Sequence, residues 1–198
     1  TVLKLMGYNW ADNCIHVDFG WVKFEEEILS TRKGNIILLE DVLDKSINLA
    51  KQIIEEKNPE LENKEEIAQQ VGIGAVIFAY LSRRRNKDFD FVWEEVLNFE
   101  GETGPYLQYT HARLHSLQRK YEKKIVPSVD FSLLKEKDKI SLVKILEDFP
   151  RTIRKAIEGY EPAILSSYLI KLASTFNTYY QNIRIITEDE KKTKKQKI

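Results

Sequence analysis

The spacing of hydrophobic residues divides the chain into a short mixed region and a longer helical region. Residues 16–22 alternate roughly between apolar and polar, and residues 35–39 form a short apolar run, so both are predicted strands. The polar stretch 25–34 between them predicts a loop. From Glu40 onward the apolar residues recur every three or four positions, which is the period of a helix.

Two helices are predicted to follow directly. The first ends near Pro59, and the second begins near Lys64 and contains Gly72 and Gly74. Because a glycine inside a helix costs about 1 kcal/mol relative to alanine, this pair indicates that another backbone packs very close there. The apolar stripes consist of Leu39, Leu43, Ile47, Ala50 and Ile54 in the first helix, and of Ile67, Val71, Gly74, Phe78 and Leu81 in the second.

The second half of the chain predicts an antiparallel bundle of helices with short connections. After a short helix over residues 91–97, Thr103 is a candidate N-cap for a long amphipathic helix that begins at Pro105. Helical spacing resumes near Lys137, breaks at Pro150 and at residues 159–162, and continues in a last helix. The stripes of the two long helices are Leu107, Thr110, Leu114, Leu117 and Tyr121, and Leu165, Leu169, Leu172, Phe176, Tyr180 and Ile183.

The predicted fold class is therefore mainly α, with a small α/β part ahead of a helical bundle. We expect three parts: residues 1–62 with the two strands and the loop, a helical connection over 63–98, and the helical bundle over 99–198. The chain lacks an initiator methionine and begins abruptly, so we expect a fragment of a longer protein. The charged tail 188–198 ends without a cap or a helix breaker.

Composition narrows the classes of function. Hydrophobic residues make up 42% of the 198 and aromatic residues 11%, which is typical of a folded domain. Lysine and arginine together number 31, as do aspartate and glutamate, so any contact with nucleic acid must come from a local basic face. Cys14 is the single cysteine, which excludes an internal disulfide and favours a reducing, intracellular setting. No apolar run approaches the length of a membrane span.

Residues 30–34, Ser-Thr-Arg-Lys-Gly, form the first candidate site. Two cations, two hydroxyls and a glycine in a loop between strands suit the phosphates of a nucleotide, because cations and backbone N–H groups neutralise their charge. Such short polar segments are common, and on spacing alone an ordinary solvated turn is the favoured interpretation.

The long helix from Pro105 offers a second candidate site. Its polar side is cationic and lies beside Tyr106 and Tyr109, which suits an RNA backbone with stacked bases, although a solvated outer face of a bundle explains the same charges. His111 and His115 are four residues apart, but no cysteine or carboxylate nearby completes a metal site, so no metal is predicted. The cationic side comprises His111, Arg113, His115, Arg119, Lys120, Lys123 and Lys124.

Aromatic residues of the last helix divide into two sets. Phe176 and Tyr180 fall on the main apolar stripe and are assigned to the core. Tyr168 and Tyr179 lie to one side of that stripe and are the better candidates for stacking on unpaired bases. Residues 83–85, three consecutive arginines, form either a second basic patch or cations that stabilise the C-terminus of a helix.

Two segments of the chain resemble the arginyl-tRNA synthetases. Residues 101–113, Gly-Glu-Thr-Gly-Pro-Tyr-Leu-Gln-Tyr-Thr-His-Ala-Arg, are similar to the segment that opens the anticodon-binding domain of that family. Residues 19–22 (Phe-Gly-Trp-Val), 29–35 (Leu-Ser-Thr-Arg-Lys-Gly-Asn) and 39–43 (Leu-Glu-Asp-Val-Leu) resemble the stretch around its KMSKS-type loop. Both occur in the family's order and separation, so the resemblance covers essentially the whole chain.

The resemblance implies the end of a class I α/β catalytic domain, with the KMSKS-type loop and two short strands, followed by an α-helical anticodon-binding bundle. The bundle stops before the family's final helix, which implies truncation at its C-terminus. Such an enzyme activates arginine with ATP, which carries Mg²⁺, and transfers it to tRNA-Arg; we expect a monomer in the cytoplasm with no tightly bound cofactor. In that family the loop closes over the ATP phosphates and stabilises the departing pyrophosphate. By resemblance, the ATP-binding residues are Phe19, Gly20, Val22, Ser30, Thr31, Arg32 and Lys33, of which Arg32 and Lys33 are catalytic, and the tRNA-binding residues are Tyr106, Gln108, Tyr109, Arg113, Lys120, Tyr168 and Tyr179.

The chain departs from the general KMSKS pattern at its lysines. Ile28 and Leu29 stand where that motif opens with lysine and methionine, and Thr31 replaces its second lysine. Either Arg32 or Lys33 could take over the missing charge. The HIGH-type motif and the arginine pocket belong to sequence ahead of this segment, so we expect this polypeptide alone not to aminoacylate. A non-catalytic RNA-binding relative and a helical interaction module are the alternative functions.

Overall fold

The computed structural model describes residues 2–24, 27–28, 37–121 and 136–186. Helices dominate this part of the chain, as predicted, and three short strands form one sheet. The helices are α1 (Val2–Leu5), α2 (Leu39–Lys57), α3 (Lys64–Leu81), α4 (Trp93–Val96), α5 (Gly104–Tyr121), α6 (Lys137–Glu147), α7 (Phe149–Glu158) and α8 (Pro162–Asn182), with a 3-10 turn at Ala11–Asn13; the strands are β1 (Val22–Phe24), β2 (Glu27–Ile28) and β3 (Phe89–Phe91).

Strand β1 lies at the centre of the sheet. It pairs with β2 in the antiparallel sense and with β3 in the parallel sense, which aligns Phe24 with Phe91. These two rings stack with their centroids 4.7 Å apart, and both are buried. The sheet therefore joins the start of the chain to the segment that follows α3.

The strand predictions were correct only in part. Of the predicted strand 16–22, Val22 alone lies in β1, and within the predicted loop 25–34 residues Glu27–Ile28 form β2. The predicted strand 35–39 is wrong over its described residues, because Ile37 and Leu38 precede α2 and Leu39 begins it. Glu40 and Asp41 in the first turn favour the helix, since carboxylates stabilise a helix N-terminus.

Helices α2 and α3 pack against each other at backbone distance. A Cβ added to Gly72 would lie 2.7 Å from the Ile47 amide nitrogen, so no larger residue fits. The buried Ser46 hydroxyl donates a hydrogen bond of 2.8 Å to the Gly72 carbonyl. This confirms the close approach predicted for this helix. The buried apolar core around the pair consists of Phe24, Val42, Ala50, Ile54, Ala68, Val71, Ala75, Val76, Ala79, Phe91, Val96 and Leu97.

The start of α5 and the end of α6 follow local sequence signals. The Thr103 hydroxyl accepts a hydrogen bond of 3.2 Å from the Tyr106 amide, which confirms Thr103 as the N-cap. Helix α6 ends at Glu147, and Pro150 occupies the first turn of α7, where its missing N–H costs nothing.

Helix α8 lies between two pairs of helices. It contacts α3 and α5 on one side and α6 and α7 on the other. At 100° per residue, Ser166 and Asn177 fall on one side of α8, and Tyr168 and Tyr179 fall on nearly the opposite side. The predicted apolar stripe of α8 runs between these two sides and is half-buried.

Candidate functional sites

The segment from Asp18 to Val22 is held against the chain that follows α3. The Gly20 amide donates a hydrogen bond of 2.6 Å to the Arg85 carbonyl, and the Trp21 amide donates one of 2.8 Å to the Asp88 carboxylate. The Phe89 amide in turn donates to the Trp21 carbonyl at 3.1 Å. Hydrogen bonds with residues 85–89 therefore fix residues 20–21, which directly precede β1.

Glycine is required at position 20 by this close approach. A Cβ there would overlap the Lys87 carbonyl group and lie 2.7 Å from the Asp88 amide nitrogen. The neighbouring Phe19 ring is 83% exposed, and Val22 is half-buried in β1. Of the three residues predicted to lie near an adenine, Phe19 thus offers a free aromatic face, while Gly20 allows the segment to sit where it does.

The predicted phosphate loop lies outside the described residues. This applies to Ser30, Thr31, Arg32 and Lys33, whose contacts with a nucleotide remain a prediction. Strands β1 and β2, which are described, precede the loop.

The three arginines after α3 have distinct surroundings. Helix α3 ends at Leu81, so none of them lies within it. The Arg83 guanidinium lies over the Phe89 ring, 5.0 Å from its centroid, and one of its nitrogens lies 3.5 Å from the Glu95 carboxylate. Arg84 is exposed. Arg85 makes contacts in two directions, to Asp18 and to the turn between α7 and α8.

The face of α5 that meets α8 carries a polar network centred on Asn177. The buried Asn177 amide donates to the Tyr106 hydroxyl at 3.0 Å and to the Thr110 hydroxyl at 2.9 Å. Its oxygen accepts a hydrogen bond of 2.6 Å from the Arg113 guanidinium. We call these four residues the α5–α8 network. No pattern in the sequence predicted a role for Asn177; the signal it offered is a polar residue in line with the small residues of α8, Ala163, Ser166 and Ala173.

Arg113 lies between two aromatic rings. Its guanidinium carbon is 4.7 Å from the Tyr109 ring centroid and 4.9 Å from that of Tyr180, and it donates a hydrogen bond of 2.9 Å to the Tyr109 hydroxyl. The Tyr109 ring itself is 50% exposed. Arg113, predicted to contact RNA, therefore holds Tyr109 in position at the surface.

A groove of about 1200 Å³ runs beside this network, between α2, α3 and α5. Gln108 projects into it, donates a hydrogen bond of 3.0 Å to the Gln70 carbonyl, and leaves its own side-chain oxygen buried without a partner among the described residues. The groove is mainly apolar with a few cationic and polar groups; its lining includes Ile53, Lys57, Leu61, Ile67, Phe99, Leu107, Tyr109 and Arg113.

Beyond the groove, α5 carries the exposed residues predicted for its polar side. Lys120 is exposed in the last turn. The Nε2 atoms of His111 and His115 lie 3.0 Å apart, and such a hydrogen bond needs one donor and one acceptor nitrogen. The described residues contain no group of three or more histidine, cysteine or acidic side chains placed to bind a metal ion.

The prediction that Tyr168 and Tyr179 stack on unpaired bases does not fit their burial. Tyr168 is 8% exposed and Tyr179 is 3% exposed, whereas Phe176 and Tyr180 are only half-buried. Tyr168 packs against the Phe149 ring of α7, with the centroids 5.5 Å apart. Burial, together with the nearby carboxylates of Glu136 and Asp138, raises the pKa of Tyr179 to about 12. In this structure neither buried ring is free to stack on a base.

The structure also contains a basic groove between α6, α7 and α8 that was not predicted from the sequence. It is lined by four cations and two acidic residues, and Arg151 is paired with Asp148 at 2.7 Å. The cations come from three helices, so no single stripe in the sequence revealed them. They are Lys144, Arg151, Lys155 and Lys171.

Among the described residues, no helix combines the length and the apolar character needed to cross a bilayer.

Two models of known protein families match the chain, one in each half. The model of the family described as tRNA synthetases class I (R), catalytic domain, matches residues 1–93, and that of the DALR anticodon binding domain matches residues 107–198. The first match corresponds to the sheet with α2 and α3, and the second to nearly all of the helical bundle. Together they define a class I aminoacyl-tRNA synthetase.

Individual relatives narrow this class. The chain is 50% identical over 190 residues to the arginine–tRNA ligase of Halothermothrix orenii, covering 96% of this chain and 34% of that protein. It is 50% identical over 200 residues to the arginine–tRNA ligase of Clostridium kluyveri, covering 100% of this chain and 35% of that protein. The solved structure of Thermus thermophilus arginyl-tRNA synthetase superposes with a TM-score of 0.84 at 32% identity, covering 98% of this chain and 35% of that one.

The chain belongs to the arginyl-tRNA synthetase family. It spans about a third of the length of the curated relatives it matches.

Proposed function

We propose that the protein carrying this chain attaches arginine to tRNA-Arg at the expense of ATP. This segment would supply the ATP-phosphate loop and the surface that binds the anticodon arm. The observation that carries the proposal is the 50% identity to arginine–tRNA ligases along the whole chain, across both the catalytic and the anticodon-binding matches.

On the ATP side, the proposal assigns the adenine to the neighbourhood of Phe19, Gly20 and Val22. The exposed Phe19 ring supports this assignment, since it stands beside a segment fixed by hydrogen bonds to Arg85 and Asp88. ATP would bring Mg²⁺ with its phosphates as part of the substrate. The cations of the loop would stabilise charge on the departing pyrophosphate, because preorganised charge acts strongly where negative charge develops. The proposed loop contacts are Ser30, Thr31, Arg32 and Lys33, the last two as catalytic cations.

On the tRNA side, the proposal assigns base contacts to the first half of α5. Tyr109 offers an exposed ring held by Arg113, and aromatic rings bind unpaired bases by stacking. Gln108 lines the groove beside Tyr109, and an amide side chain can form hydrogen bonds with base edges. Tyr106 is the third member, through its half-buried ring.

Phosphate contacts would come from cations on two surfaces. Lys120 is exposed at the end of α5, and the basic groove adds Lys144, Lys155 and Lys171. Such contacts release counterions from the RNA and therefore weaken as salt rises. The burial of Tyr168 and Tyr179 favours a packing role for both, so the proposal omits them from the RNA contacts.

The proposal also includes a monomeric protein that acts in the cytoplasm. Its partners would be tRNA-Arg, ATP and arginine.

The direct test is arginylation of tRNA-Arg by the full-length protein, with another tRNA as the control. We expect arginine to be attached to tRNA-Arg with ATP consumed, and ATP–pyrophosphate exchange to depend on arginine. Salt-sensitive tRNA binding without any arginylation would support a non-catalytic RNA-binding relative instead. The polypeptide of residues 1–198 alone is expected to bind tRNA without forming arginyl-adenylate.

A further inference from the structure

We propose that Arg85 is a positioning residue through which the turn between α7 and α8 sets the position of the ATP-facing segment, residues 18–22. The inference rests on the proposed function, because it takes Phe19, Gly20 and Val22 to face ATP. It assigns a role to a residue that lies outside the KMSKS-type loop and outside the proposed tRNA contacts.

Arg85 holds the ATP-facing segment at two points. Its guanidinium donates a hydrogen bond of 2.6 Å to the Asp18 carbonyl and pairs with the Asp18 carboxylate. Its own carbonyl accepts the hydrogen bond of 2.6 Å from the Gly20 amide. The guanidinium lowers the pKa of Asp18, so the carboxylate remains charged throughout the neutral range. Main chain and side chain of one residue thus fix the backbone on both sides of Phe19.

The same arginine is attached to the helical bundle. Its Nε donates a hydrogen bond of 3.0 Å to the Tyr160 carbonyl, and its backbone amide donates one of 3.3 Å to the Glu161 carboxylate. Both acceptors lie in the turn between α7 and α8. The Arg85 guanidinium therefore bridges Asp18 and Tyr160, which are far apart in the sequence.

The turn between α7 and α8 is fixed to the end of α7 by backbone hydrogen bonds. Tyr160 adopts a left-handed backbone conformation with φ of 49°, which aims its carbonyl at Arg85. Reverse hydrogen bonds close the end of α7: the Glu161 amide donates to the Ala156 carbonyl at 2.9 Å, and the Tyr160 amide donates to that of Ile157 at 3.1 Å. Because this end is tied to α7, a shift of α7 relative to the sheet would move the Arg85 guanidinium.

The contacts require arginine rather than any cation. A planar guanidinium presents several donors in fixed directions and can serve Asp18 and Tyr160 at once, whereas a lysine offers a single nitrogen. Reacting groups must be held closely for catalysis, and displacement by about 1 Å can lower a rate by about a hundredfold. Loss of the bridge should therefore act on the ATP step.

The test uses ATP–pyrophosphate exchange by the full-length protein with saturating tRNA-Arg. For Arg85→Lys and Arg85→Ala we expect the KM for ATP to rise by about tenfold, as for the loss of one charge-assisted contact, with the KM for arginine changed less than about twofold. Glu161→Ala removes an anchor that does not touch residues 18–22, and it should raise the KM for ATP in the same direction by about threefold. Arg84→Ala, an exposed neighbour, is the matched control and should leave both KM values unchanged.

Hydrogen–deuterium exchange provides a second readout that does not depend on activity. The peptide covering residues 18–22 should exchange faster in Arg85→Ala and in Glu161→Ala than in wild type or Arg84→Ala. The carbonyl of residue 85 remains as the acceptor of the Gly20 amide, but it is held less firmly once the guanidinium contacts to Asp18 or the Glu161 anchor are removed.

The outcomes separate this inference from the proposed function. If wild type shows no arginine-dependent exchange, the proposed function fails and this inference fails with it. If wild type is active but the KM for ATP is unchanged in Arg85→Ala and Glu161→Ala, only the inference is overturned. An equal loss in every kinetic parameter together with a lower melting temperature would show a merely structural arginine and would also overturn it.

Discussion

Helix pair α2–α3 and helix pair α5–α8 are joined by different chemistry. The centre of the first contact consists of small and apolar residues, with the backbones brought together at Gly72 and the buried Ser46 hydroxyl donating across it. Ion pairs between lysine and glutamate, Lys51 with Glu65 and Lys64 with Glu55, lie at its edge. The second pair meets through the α5–α8 network, in which Asn177 connects Tyr106, Thr110 and Arg113.

This difference indicates that the two helix contacts have different roles in the molecule. Close apolar packing stabilises a helix pair but exposes few groups to a ligand. A network of directional hydrogen bonds fixes side-chain orientation as well, and here it fixes the guanidinium that holds the exposed Tyr109 ring. The α2–α3 contact is therefore a scaffold, and the α5–α8 contact also shapes a surface.

The largest effect is expected from filling the α2–α3 contact. Gly72→Leu would force a side chain into the Ile47 backbone, and we expect the free energy of unfolding to fall by more than about 3 kcal/mol. Gly74→Ala is the control, because the nearest atoms that its new methyl would meet belong to the flexible end of Gln108, and it should change stability by less than about 1 kcal/mol. Urea unfolding measures both, and equal losses in the two variants would contradict the scaffold interpretation.

Breaking the α5–α8 network should cost nearly as much stability and should alter the surface too. Asn177→Leu removes one acceptor of the Arg113 guanidinium and the donor to the Thr110 hydroxyl, and we expect a loss of about 2–3 kcal/mol. Because Tyr109 then loses its fixed neighbour, tRNA affinity should also fall, by about fivefold. Thr178→Ala, an exposed change one residue away, is the control. Unchanged tRNA binding in Asn177→Leu would show that the network does not shape the RNA surface.

The opposite side of α8 should respond to alkaline pH. The pKa of Tyr179 is raised to about 12, above its ordinary value near 10, so the folded state holds this proton more tightly than the unfolded state. The associated stability is fully present below about pH 10 and is lost at about 1.4 kcal/mol per pH unit as pH rises towards 12. Tyr179→Phe should remove this part of the slope while leaving the contributions of Tyr80 and Tyr168 in place. An identical pH dependence in wild type and variant would sink the prediction.

The smallest effect concerns the basic groove. If Lys155 and Lys171 each contact a phosphate, the double variant Lys155→Ala/Lys171→Ala should reduce the slope of log affinity against log salt by about 0.7–0.9 per lost contact. Lys51→Ala on α2, which removes a lysine paired with Glu65, is the control and should leave the slope unchanged. Equal slopes for wild type and the double variant would place the phosphate contacts elsewhere.

Much of the helical architecture was readable from the sequence. The end of α2 near Pro59, the start of α3 at Lys64, the Thr103 cap, the start of α6 at Lys137 and the break at Pro150 all follow from local signals. The close approach at Gly72 was also predicted, because two glycines inside a helix need a steric reason. The resemblance to the family is carried by residues 101–113 in the sequence itself.

Only the tertiary structure decided which side chains are buried and which distant residues they contact. An argument from periodicity assumes that a helix buries one side, but α8 is covered on two nearly opposite sides. Tyr168 and Tyr179 lie on one of the covered sides and are buried, whereas the apolar stripe runs between the two sides and is half-buried. The strands were placed poorly because β2 and β3 are only two and three residues long and exist through pairing with β1, a long-range contact that leaves almost no local pattern. The sequence by itself determined that residues 83–85 are basic. Only the tertiary structure decided that Arg85 bridges Asp18 and the turn between α7 and α8, because these contacts join residues that are far apart in the sequence.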